Sequence, residues 1–204
     1  MMKSCFQNFE DKELYSLFVS RINRMSIQSL AVFCGSKQGK NKLFTEHAAA
    51  LGKLLAENKI RLIYGAGSAG LMGAVADAVM ANGGEVKGVI PKLLLEWEKQ
   101  HRGITELIIS DDMHERKKTI YSLCDAALIL PGGFGTLDEL FEILTWNQLT
   151  IHDKQIFILN SDGFYDHLIA HINLMRTESF LYEQADQSIT ILNQPADLLV
   201  YLSL

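Results

Sequence analysis

The sequence has 204 residues, of which 48% are apolar and only three are prolines, and its formal net charge is −5. This length and composition predict a single globular domain with a substantial hydrophobic core. The negative charge argues against a nucleic-acid-binding surface, because phosphate backbones need clustered Lys and Arg, and the longest basic run is Arg116-Lys117-Lys118.

The cysteines predict a reducing compartment. Cys5, Cys34 and Cys124 are odd in number and follow neither metal-ligand nor Cys-x-x-Cys spacing, so neither a disulfide framework nor a zinc site is expected. No apolar run approaches the roughly 20 residues of a membrane span, and the N-terminus lacks the basic-then-apolar order of a signal peptide. We therefore expect a cytoplasmic protein that contacts neither membrane nor nucleic acid.

In chain order, an N-terminal extension precedes one domain. Residues 1–28 form the extension, whose apolar spacing predicts a short amphipathic helix, and residues 29–204 form the domain. Strands are predicted at Leu30–Cys34, Arg61–Tyr64, Val86–Ile90, Glu106–Ile109, Ala126–Leu130, Gln155–Leu159 and Ser188–Leu192. Helices are predicted at Lys42–Glu57, Leu71–Asn82, His114–Leu123, Thr136–Gln148, Phe164–Met175 and Ala196–Leu202.

This alternation predicts an α/β fold with a doubly wound, Rossmann-like parallel sheet of about seven strands and helices on both faces. In such sheets, ligands bind outside the carboxyl ends of the strands, at the point where the strand order reverses. Loops with suitable chemistry follow four of the predicted strands.

The loop after the first strand runs from Cys34 to Lys40 and superficially resembles a P-loop. The spacing between its glycines, Gly35 and Gly39, is one residue short, and Asn41 stands where a Ser or Thr would hold magnesium. A nucleoside triphosphatase is therefore not expected. Two interpretations stay open for this loop: it binds polar ligand groups, or it is a plain turn.

The loop from Tyr64 to Gly73 satisfies the pattern GxGxxG between a strand and a helix, as in dinucleotide-binding proteins. An acid follows about twenty residues later, but this residue, Glu85, precedes the third strand. The ribose-binding acid of a dinucleotide site belongs at the carboxyl end of a strand. NAD or FAD binding is therefore disfavoured, and close approach of the backbone to a phosphate is the remaining interpretation.

Two cations stand near the start of the helix that follows the fourth strand. Arg116 and Lys117 oppose the helix dipole there and need a compensating reason. An ion pair with Asp111 or Asp112 would supply one. Alternatively, Arg116 reaches a ligand opposite Glu139, because we expect the two loops to leave neighbouring strands.

The glycine-rich segment from Pro131 to Glu139 joins a buried strand to a helix. Free backbone N–H groups and the positive end of the helix dipole bind anions, glycines let phosphate approach, and Thr136 can donate a hydroxyl. Glu139 would repel a phosphate. It either complements the helix dipole or serves another part of the ligand.

In this order the motifs resemble the LONELY GUY (LOG) family of phosphoribohydrolases, long mislabelled as lysine decarboxylases. The resemblance spans about Ser29 to Ala196. It rests on Phe33-Cys34-Gly35-Ser36, the Tyr64 to Gly73 loop, Gly88-Val89-Ile90-Pro91-Lys92, Met113-His114-Glu115-Arg116-Lys117, the Pro131 to Glu139 segment and Ile151-His152-Asp153-Lys154.

The resemblance implies hydrolysis of the N-glycosidic bond of AMP or of an N6-modified AMP of the cytokinin type, giving free base and ribose 5-phosphate. It implies no metal, no nicotinamide cofactor, and a homodimer with its site near the subunit interface. It assigns catalysis to Arg116 and Glu139. Together with the loops, it assigns substrate or phosphate binding to Gly35, Ser36, Gly67, Ser68, Gly70, Met72, Gly73, Glu98, Met113, Lys117, Gly132, Gly133, Phe134, Gly135, Thr136, Leu137, Asp138 and Thr145.

The chain departs from the family pattern at two positions. Asp138 replaces a common glutamate, which keeps the charge but shortens its reach. Ala66 replaces a frequent glycine, which should matter little if its φ is negative. The apolar stretch Phe141–Trp146, with Leu149, suits either a dimer contact or core packing. A pocket for an N6 substituent would draw on residues such as Leu93, Trp97 and Met113.

Ribosyl transfer passes through an oxocarbenium-like state that a carboxylate stabilises. Glu139 could stabilise this cation, hold ribose hydroxyls or activate water, while Arg116 could stabilise the departing base or the phosphate. A broader purine nucleotide nucleosidase is one alternative. Another is a non-catalytic nucleotide- or molybdenum-cofactor-binding carrier of the same fold, which would need the glycine loops but not this pair. Lysine decarboxylation is disfavoured because no Lys has a recognisable pyridoxal-phosphate context.

Overall fold

The structure, a computed structural model, describes residues 27–95, 100–182 and 189–202. Its strands are β1 (Ser29–Phe33), β2 (Arg61–Tyr64), β3 (Val86–Pro91), β4 (Glu106–Ser110), β5 (Ala126–Ile129), β6 (Gln155–Leu159) and β7 (Ile189–Leu192). The predicted strands agree with these bounds to within one residue. The predicted helix of the N-terminal extension, the predicted first residue of β7, Ser188, and the residues Trp97 and Glu98 lie outside the described residues.

The helices of the described residues are α1 (Lys42–Glu57), α2 (Gly70–Ala81), α3 (Met113–Leu123), α4 (Phe134–Gln148), α5 (Asp166–Thr177) and the single turn α6 (Leu199–Leu202). Two of them begin at side-chain caps, which satisfy backbone N–H groups of the first turn. Asn41 accepts from the Leu43 N–H at 3.0 Å, and Asp112 accepts from the Glu115 N–H at 2.8 Å. Gly133 precedes α4 and supplies no such bond.

All seven strands are parallel, in the order β4-β3-β2-β1-β5-β6-β7. The chain winds outward from β1 to β4, then returns across the sheet and continues from β5 to β7 on the other side. This confirms the predicted doubly wound sheet. The strand order reverses between β1 and β5, so the carboxyl ends of these two strands mark the expected ligand site.

The prediction that β4 and β5 are neighbours is wrong. Sequential strands usually lie side by side, but β3, β2 and β1 separate this pair because the sheet reverses its winding there. The connecting helix α3 contacts β4, β3, β2 and β1. It therefore crosses the sheet and carries its side chains toward the β5 side.

One hydrophobic cluster covers the face of the sheet on which α3 lies. It joins strand residues such as Ala31 and Ile129 to Ile120 and Tyr121 of α3 and to Ile143 of α4. Since both helices bury side chains in the same cluster, α3 and α4 cover the same face. This arrangement brings the cations of α3 close to the acids of α4.

The cysteines of the described part of the chain, Cys34 and Cys124, are buried and form no disulfide. Within the same residues, no helix combines the length and apolar content that a membrane crossing requires.

Candidate active site

A cavity of about 520 Å³ opens at the carboxyl ends of β1 and β5, a volume typical of small-ligand sites. The β1–α1 loop and the β5–α4 loop line it, together with Gly65 of the β2–α2 loop. Arg116, Glu139, Phe44 and Phe164 complete the wall. The sheet topology and the cavity therefore mark the same position.

Backbone contacts hold the three loops together. The Gly35 N–H donates to the Pro131 carbonyl at 3.0 Å, and the Leu71 N–H donates to the Gly35 carbonyl at 3.0 Å. Gly70 has a φ of +64°, and a Cβ there would lie 2.3 Å from the Ser36 carbonyl carbon. Gly70 therefore allows both the left-handed turn and the close approach of two loops.

Arg116 reaches the cavity from the first turns of α3 and is only 7% exposed. Its Nε donates to the Val89 carbonyl at 3.1 Å and its Nη2 to the Gly65 carbonyl at 3.4 Å. A Cβ on Gly65 would lie 2.0 Å from Nη2. The first glycine of the GxGxxG pattern therefore makes room for the guanidinium.

Glu139 faces Arg116 across the cavity wall, with 3.9 Å between its Oε1 and Nη1 of Arg116. Its side chain is 12% exposed. Burial raises the pKa of Glu139 to about 7, although the positive charge of Arg116 acts in the opposite direction. A carboxyl group with this pKa changes its protonation state near neutral pH.

The amino end of α4 provides an anion site at the same cavity. Phe134, Gly135 and Thr136 form the first turn of the helix and line the cavity, and their N–H groups have no intrahelical partner. A Cβ on Gly133 or Gly135 would meet no described atom within 4 Å. The loop therefore leaves open space in front of the positive end of a 15-residue helix.

Lys117 points away from this cavity toward α4. Its Nζ lies 3.1 Å from Asp138 Oδ2 and 3.0 Å from Glu142 Oε2, and the residue is 8% exposed. The proposed ion pairs of Arg116 and Lys117 with Asp111 or Asp112 are not what the structure shows. Asp111 pairs with Lys92, while Asp112 caps α3.

The structure brings about half of the predicted site residues to the cavity. Those that line it are Gly35, Ser36, Met72, Arg116, Gly132, Gly133, Phe134, Gly135, Thr136 and Glu139. The other described ones do not line it: Gly67, Ser68, Gly70, Gly73, Met113, Lys117, Leu137, Asp138 and Thr145. Glu98 lies outside the described residues.

Several residues of the second group have protein neighbours. A Cβ on Gly67 would lie 2.7 Å from Met72 Cε, and one on Gly73 would lie 2.3 Å from the Ser68 carbonyl oxygen. Met113 lies beside Arg116, with 4.0 Å between its Sδ and Nη1. Leu137 packs against the hydrophobic core.

Thr145 lies farther along α4. Its hydroxyl donates to the Phe141 carbonyl at 2.7 Å. Nine residues separate it from Thr136, which is roughly 14 Å along a helix.

Ala66 lies in the Tyr64 to Gly73 loop, and Glu85 is the acid that follows this loop in the sequence. Ala66 has a φ of +65°, so the condition of a negative φ is not met and the alanine occupies a left-handed conformation. Glu85 precedes β3 and accepts from Arg61 Nε at 2.8 Å. It therefore lies at the amino edge of the sheet, whereas the ribose-binding acid of a dinucleotide site lies at the carboxyl end of a strand.

Sequence reasoning missed two aromatic residues of the cavity. Phe44 belongs to α1 and Phe164 follows the carboxyl end of β6, and their rings meet edge to face at 5.4 Å. The β6–α5 turn lies next to the reversal point, so the rule that located the other loops applies to it as well. This turn carries no glycine motif, so its sequence does not mark it as a binding loop.

The topology and the cavity define a doubly wound, Rossmann-like α/β protein with a cavity at its switch point, beside the amino end of α4. A family model described as "possible lysine decarboxylase" matches residues 72–202. The chain is 43% identical over 187 residues to a probable cytokinin riboside 5'-monophosphate phosphoribohydrolase of Oryza sativa subsp. japonica, covering 92% of this chain and 73% of that protein. It is 45% identical over 160 residues to a cytokinin riboside 5'-monophosphate phosphoribohydrolase of Arabidopsis thaliana, covering 78% and 74%.

The chain therefore belongs to the LOG family of phosphoribohydrolases, and the resemblance drawn from its motifs is confirmed. Among solved structures, a molybdenum cofactor binding protein from the phototrophic bacterium Rippkaea orientalis aligns with a TM-score of 0.66 and 17% identity, covering 88% of this chain and 97% of that chain. At this identity the likeness shows the shared fold alone.

Proposed function

We propose that this enzyme hydrolyses the N-glycosidic bond of a nucleoside 5′-monophosphate, AMP or an N6-modified AMP of the cytokinin type, to free base and ribose 5-phosphate. The observation that carries the proposal is the pair formed by Arg116 and Glu139, which lines the same cavity as the uncapped amino end of α4. The names of the relatives describe the same class of reaction.

The amino end of α4 binds the 5′-phosphate. Its free N–H groups and dipole attract the anion, and the open space at Gly133 and Gly135 lets the phosphate reach the backbone. Thr136 lies in the same turn and offers its hydroxyl. No positively charged surface is needed for this local recognition, which suits a chain of net charge −5.

Glu139 and Arg116 carry out the chemistry from the wall of the cavity. As a carboxylate, Glu139 stabilises the positive charge that develops on the ribose as the bond to the base breaks. The guanidinium of Arg116 donates to groups that carry or gain negative charge. Its three neighbours Val89, Gly65 and Glu139 fix the guanidinium before substrate binds.

The carrier alternative gains no support from these findings. It rested on a shared fold, and the cofactor-binding structure shares only 17% of its residues with this chain. The relatives at 43% and 45% identity are phosphoribohydrolases. A carrier also has no use for a buried arginine opposite a buried glutamate.

We further propose that the enzyme is a homodimer whose partner supplies Thr145. Phe141 and Thr145 of α4 and Leu149, which directly follows the helix, are all exposed and form one stripe at a spacing of four residues. Ile143, between them, is fully buried in the core. The family resemblance assigns Thr145 to the substrate, yet it does not line its own cavity. Dimerisation through this stripe would bring it to the cavity of the partner.

Mixing two inactive variants tests this arrangement. Glu139→Gln and Thr145→Val are unfolded together, refolded as a mixture and assayed for base release. A shared site predicts that mixed dimers regain activity, because one of their two sites is intact. A mixture no more active than the Thr145→Val protein alone would contradict the role of the partner.

The compartment and the domain boundary stay predictions from the sequence. We expect a cytoplasmic enzyme because the cysteine pattern suits a reducing compartment. We also expect residues 1–28 to form an N-terminal extension and residues 29–204 to form the catalytic domain. Base release by a protein that lacks residues 1–28 tests this boundary.

The decisive experiment measures release of free base from AMP and from N6-isopentenyl-AMP, without added metal or cofactor. Glu139→Gln and Arg116→Ala should each nearly abolish release while the fold stays intact. Glu57→Gln, which changes an exposed acid of α1, is the matched control and should behave like the native enzyme. Full activity with unchanged melting in either site variant would remove that residue from the mechanism. The ratio of the two rates identifies the preferred base.

A further inference from the structure

A second layer of polar residues lies behind Glu139, between α3 and α4. Tyr121 is 2% exposed, and its hydroxyl donates to the backbone carbonyl of Glu139 at 2.9 Å. The same hydroxyl lies 3.4 Å from Glu142 Oε2. Glu142 in turn accepts from Lys117 Nζ at 3.0 Å. Neither Tyr121 nor Glu142 lines the cavity.

The ring of Tyr121 also packs between β1 and α4. It meets Phe33, at the end of β1, edge to face at 5.7 Å, and Trp146 of α4 at 4.9 Å. Phe33 lines the cavity. A buried aromatic ring in this position packs β1 against the last turn of α4.

The charges of this layer do not balance. When ionised, the three acids Asp138, Glu139 and Glu142 face the two cations Arg116 and Lys117, which leaves one negative charge in excess. Lys117 pairs closely with Asp138 and Glu142. Glu139 has a weaker contact, at 3.9 Å to Arg116, so it is the acid that most readily takes up a proton.

The polar and ionisable groups around Glu139 come from three elements. They are Arg116, Lys117 and Tyr121 on α3, Asp138 and Glu142 on α4, and Cys34 after β1. Burial raises the pKa of Tyr121 and of Cys34, so both stay neutral. Burial alone would lower the pKa of Lys117, but its bonds to Glu142 and Asp138 raise it, so Lys117 stays charged.

We propose that Tyr121 and Glu142 are positioning residues for Glu139: Tyr121 holds its backbone, and Glu142, held by Lys117, acts with Asp138 to place negative charge beside its carboxylate. This inference rests on the proposed function, because it assumes that Glu139 is catalytic. The two residues act through Glu139 and through α4 rather than through contact with the nucleotide.

The test compares isosteric variants by their full pH–rate profiles with AMP. Glu142→Gln removes one negative charge three residues from Glu139. The part of the pH–rate profile that follows the ionisation of Glu139 should therefore shift to lower pH by about half a unit or more. Glu142→Asp keeps the charge and should keep this part of the profile near its native position. Glu57→Gln controls for the loss of an exposed acid.

Tyr121→Phe removes the hydroxyl and keeps the ring. Its kcat should fall roughly tenfold from misplacement of Glu139, while KM for AMP stays within about twofold because the amino end of α4, which we propose binds the phosphate, is unchanged. Tyr165→Phe is the matched control, since its buried hydroxyl also donates to a backbone carbonyl, that of Leu130, at 2.8 Å. It should lose similar stability without the same loss of kcat.

The outcomes separate this inference from the function itself. An active Glu139→Gln enzyme would overturn the proposed function. If that variant is inactive, an unshifted pH–rate profile in Glu142→Gln together with a native kcat in Tyr121→Phe would overturn the positioning role and leave the function standing. Thermal melting of each variant shows that it is folded at the assay temperature.

Discussion

The two glycine-rich loops of this protein look alike in sequence and differ in what surrounds their glycines. Both follow a strand and lead into a helix. In the β2–α2 loop, protein atoms occupy the space beside the glycines: Arg116 beside Gly65, Met72 beside Gly67, and the Ser36 backbone beside Gly70. In the β5–α4 loop, Thr136 lies beside Gly132, whereas the space beside Gly133 and Gly135 is free of described atoms. The glycines of the first loop make room for protein atoms, and two of the three glycines of the second loop face open space.

This difference corrects the interpretation of the GxGxxG pattern. A glycine pattern shows that a Cβ is not tolerated, but it does not tell whether protein or ligand takes its place. In the β2–α2 loop, the guanidinium of Arg116 takes the space that a Cβ on Gly65 would occupy. The loop therefore positions the side chain that we propose to be catalytic, and Gly67, Gly70 and Gly73 do not line the cavity.

The largest expected effect comes from exchanging one glycine in each loop. Gly70→Ala forces an alanine to a φ of +64° and against the Ser36 backbone, so unfolding free energy should fall by about 3 to 5 kcal/mol. Gly135→Ala lies in a helix with free space around it and should gain about 0.5 to 1 kcal/mol. Urea unfolding of the two variants measures both values.

The variants Gly70→Ala and Gly135→Ala also separate the packing role of one loop from the proposed binding role of the other. In Gly135→Ala the added methyl group stands where the phosphate approaches the backbone, so KM for AMP should rise roughly tenfold, which is about 1.4 kcal/mol. A native KM in this variant would mean that the phosphate binds elsewhere. Full stability of Gly70→Ala would contradict the packing role of the β2–α2 loop.

Gly65→Ala tests the link between that loop and the chemistry. Its Cβ would lie 2.0 Å from Nη2 of Arg116, so the guanidinium must move away from Glu139. We expect kcat/KM to fall about 100-fold, which is about 2.7 kcal/mol of transition-state stabilisation. Melting temperature and kcat/KM are measured together. A folded variant with native kcat/KM would show that the position of Arg116 is not critical.

The centre of the sheet was predictable because β1, β2, β5 and β6 are short, mostly apolar runs that are almost entirely buried. Glycines and polar residues mark their ends. The meeting of Arg116 and Glu139 was predicted for the wrong reason: β4 and β5 are not neighbours, and α3 brings the arginine across the sheet. Tyr121 and Glu142 carry no sequence signal, because a tyrosine and a glutamate at helical spacing look like an ordinary packed face and an ordinary exposed one.

Glu139 itself gives the next prediction, through the pH dependence of stability. Burial raises its pKa from 4.5 to about 7 in the folded protein. Between these values the folded state binds more protons than the unfolded state, so stability falls as pH rises through that window. Glu139→Gln cannot ionise and should be more stable than the native protein by about 3 kcal/mol at pH 8. The difference should vanish at about pH 4.

Urea unfolding of both proteins at the two pH values measures this difference. An equal stability gain at both values would assign the effect to packing rather than to ionisation. A destabilised variant at pH 8 would mean that the contact with Arg116 outweighs the cost of burying the charge.

The smallest expected effect concerns Ala66 of the β2–α2 loop. The sequence did not reveal the left-handed backbone conformation of this residue. Its φ of +65° costs an alanine about 1 to 2 kcal/mol. Two terms act against Ala66→Gly: the greater freedom of glycine in the unfolded chain, about 0.4 to 1 kcal/mol, and the loss of a fully buried methyl group, about 0.8 kcal/mol. These terms nearly cancel, so the variant should keep its unfolding free energy within about 0.5 kcal/mol and its kcat/KM unchanged. A loss of 2 kcal/mol in urea unfolding would show that the methyl group packs against Gly88 more tightly than its burial implies, and that alanine was retained here for packing.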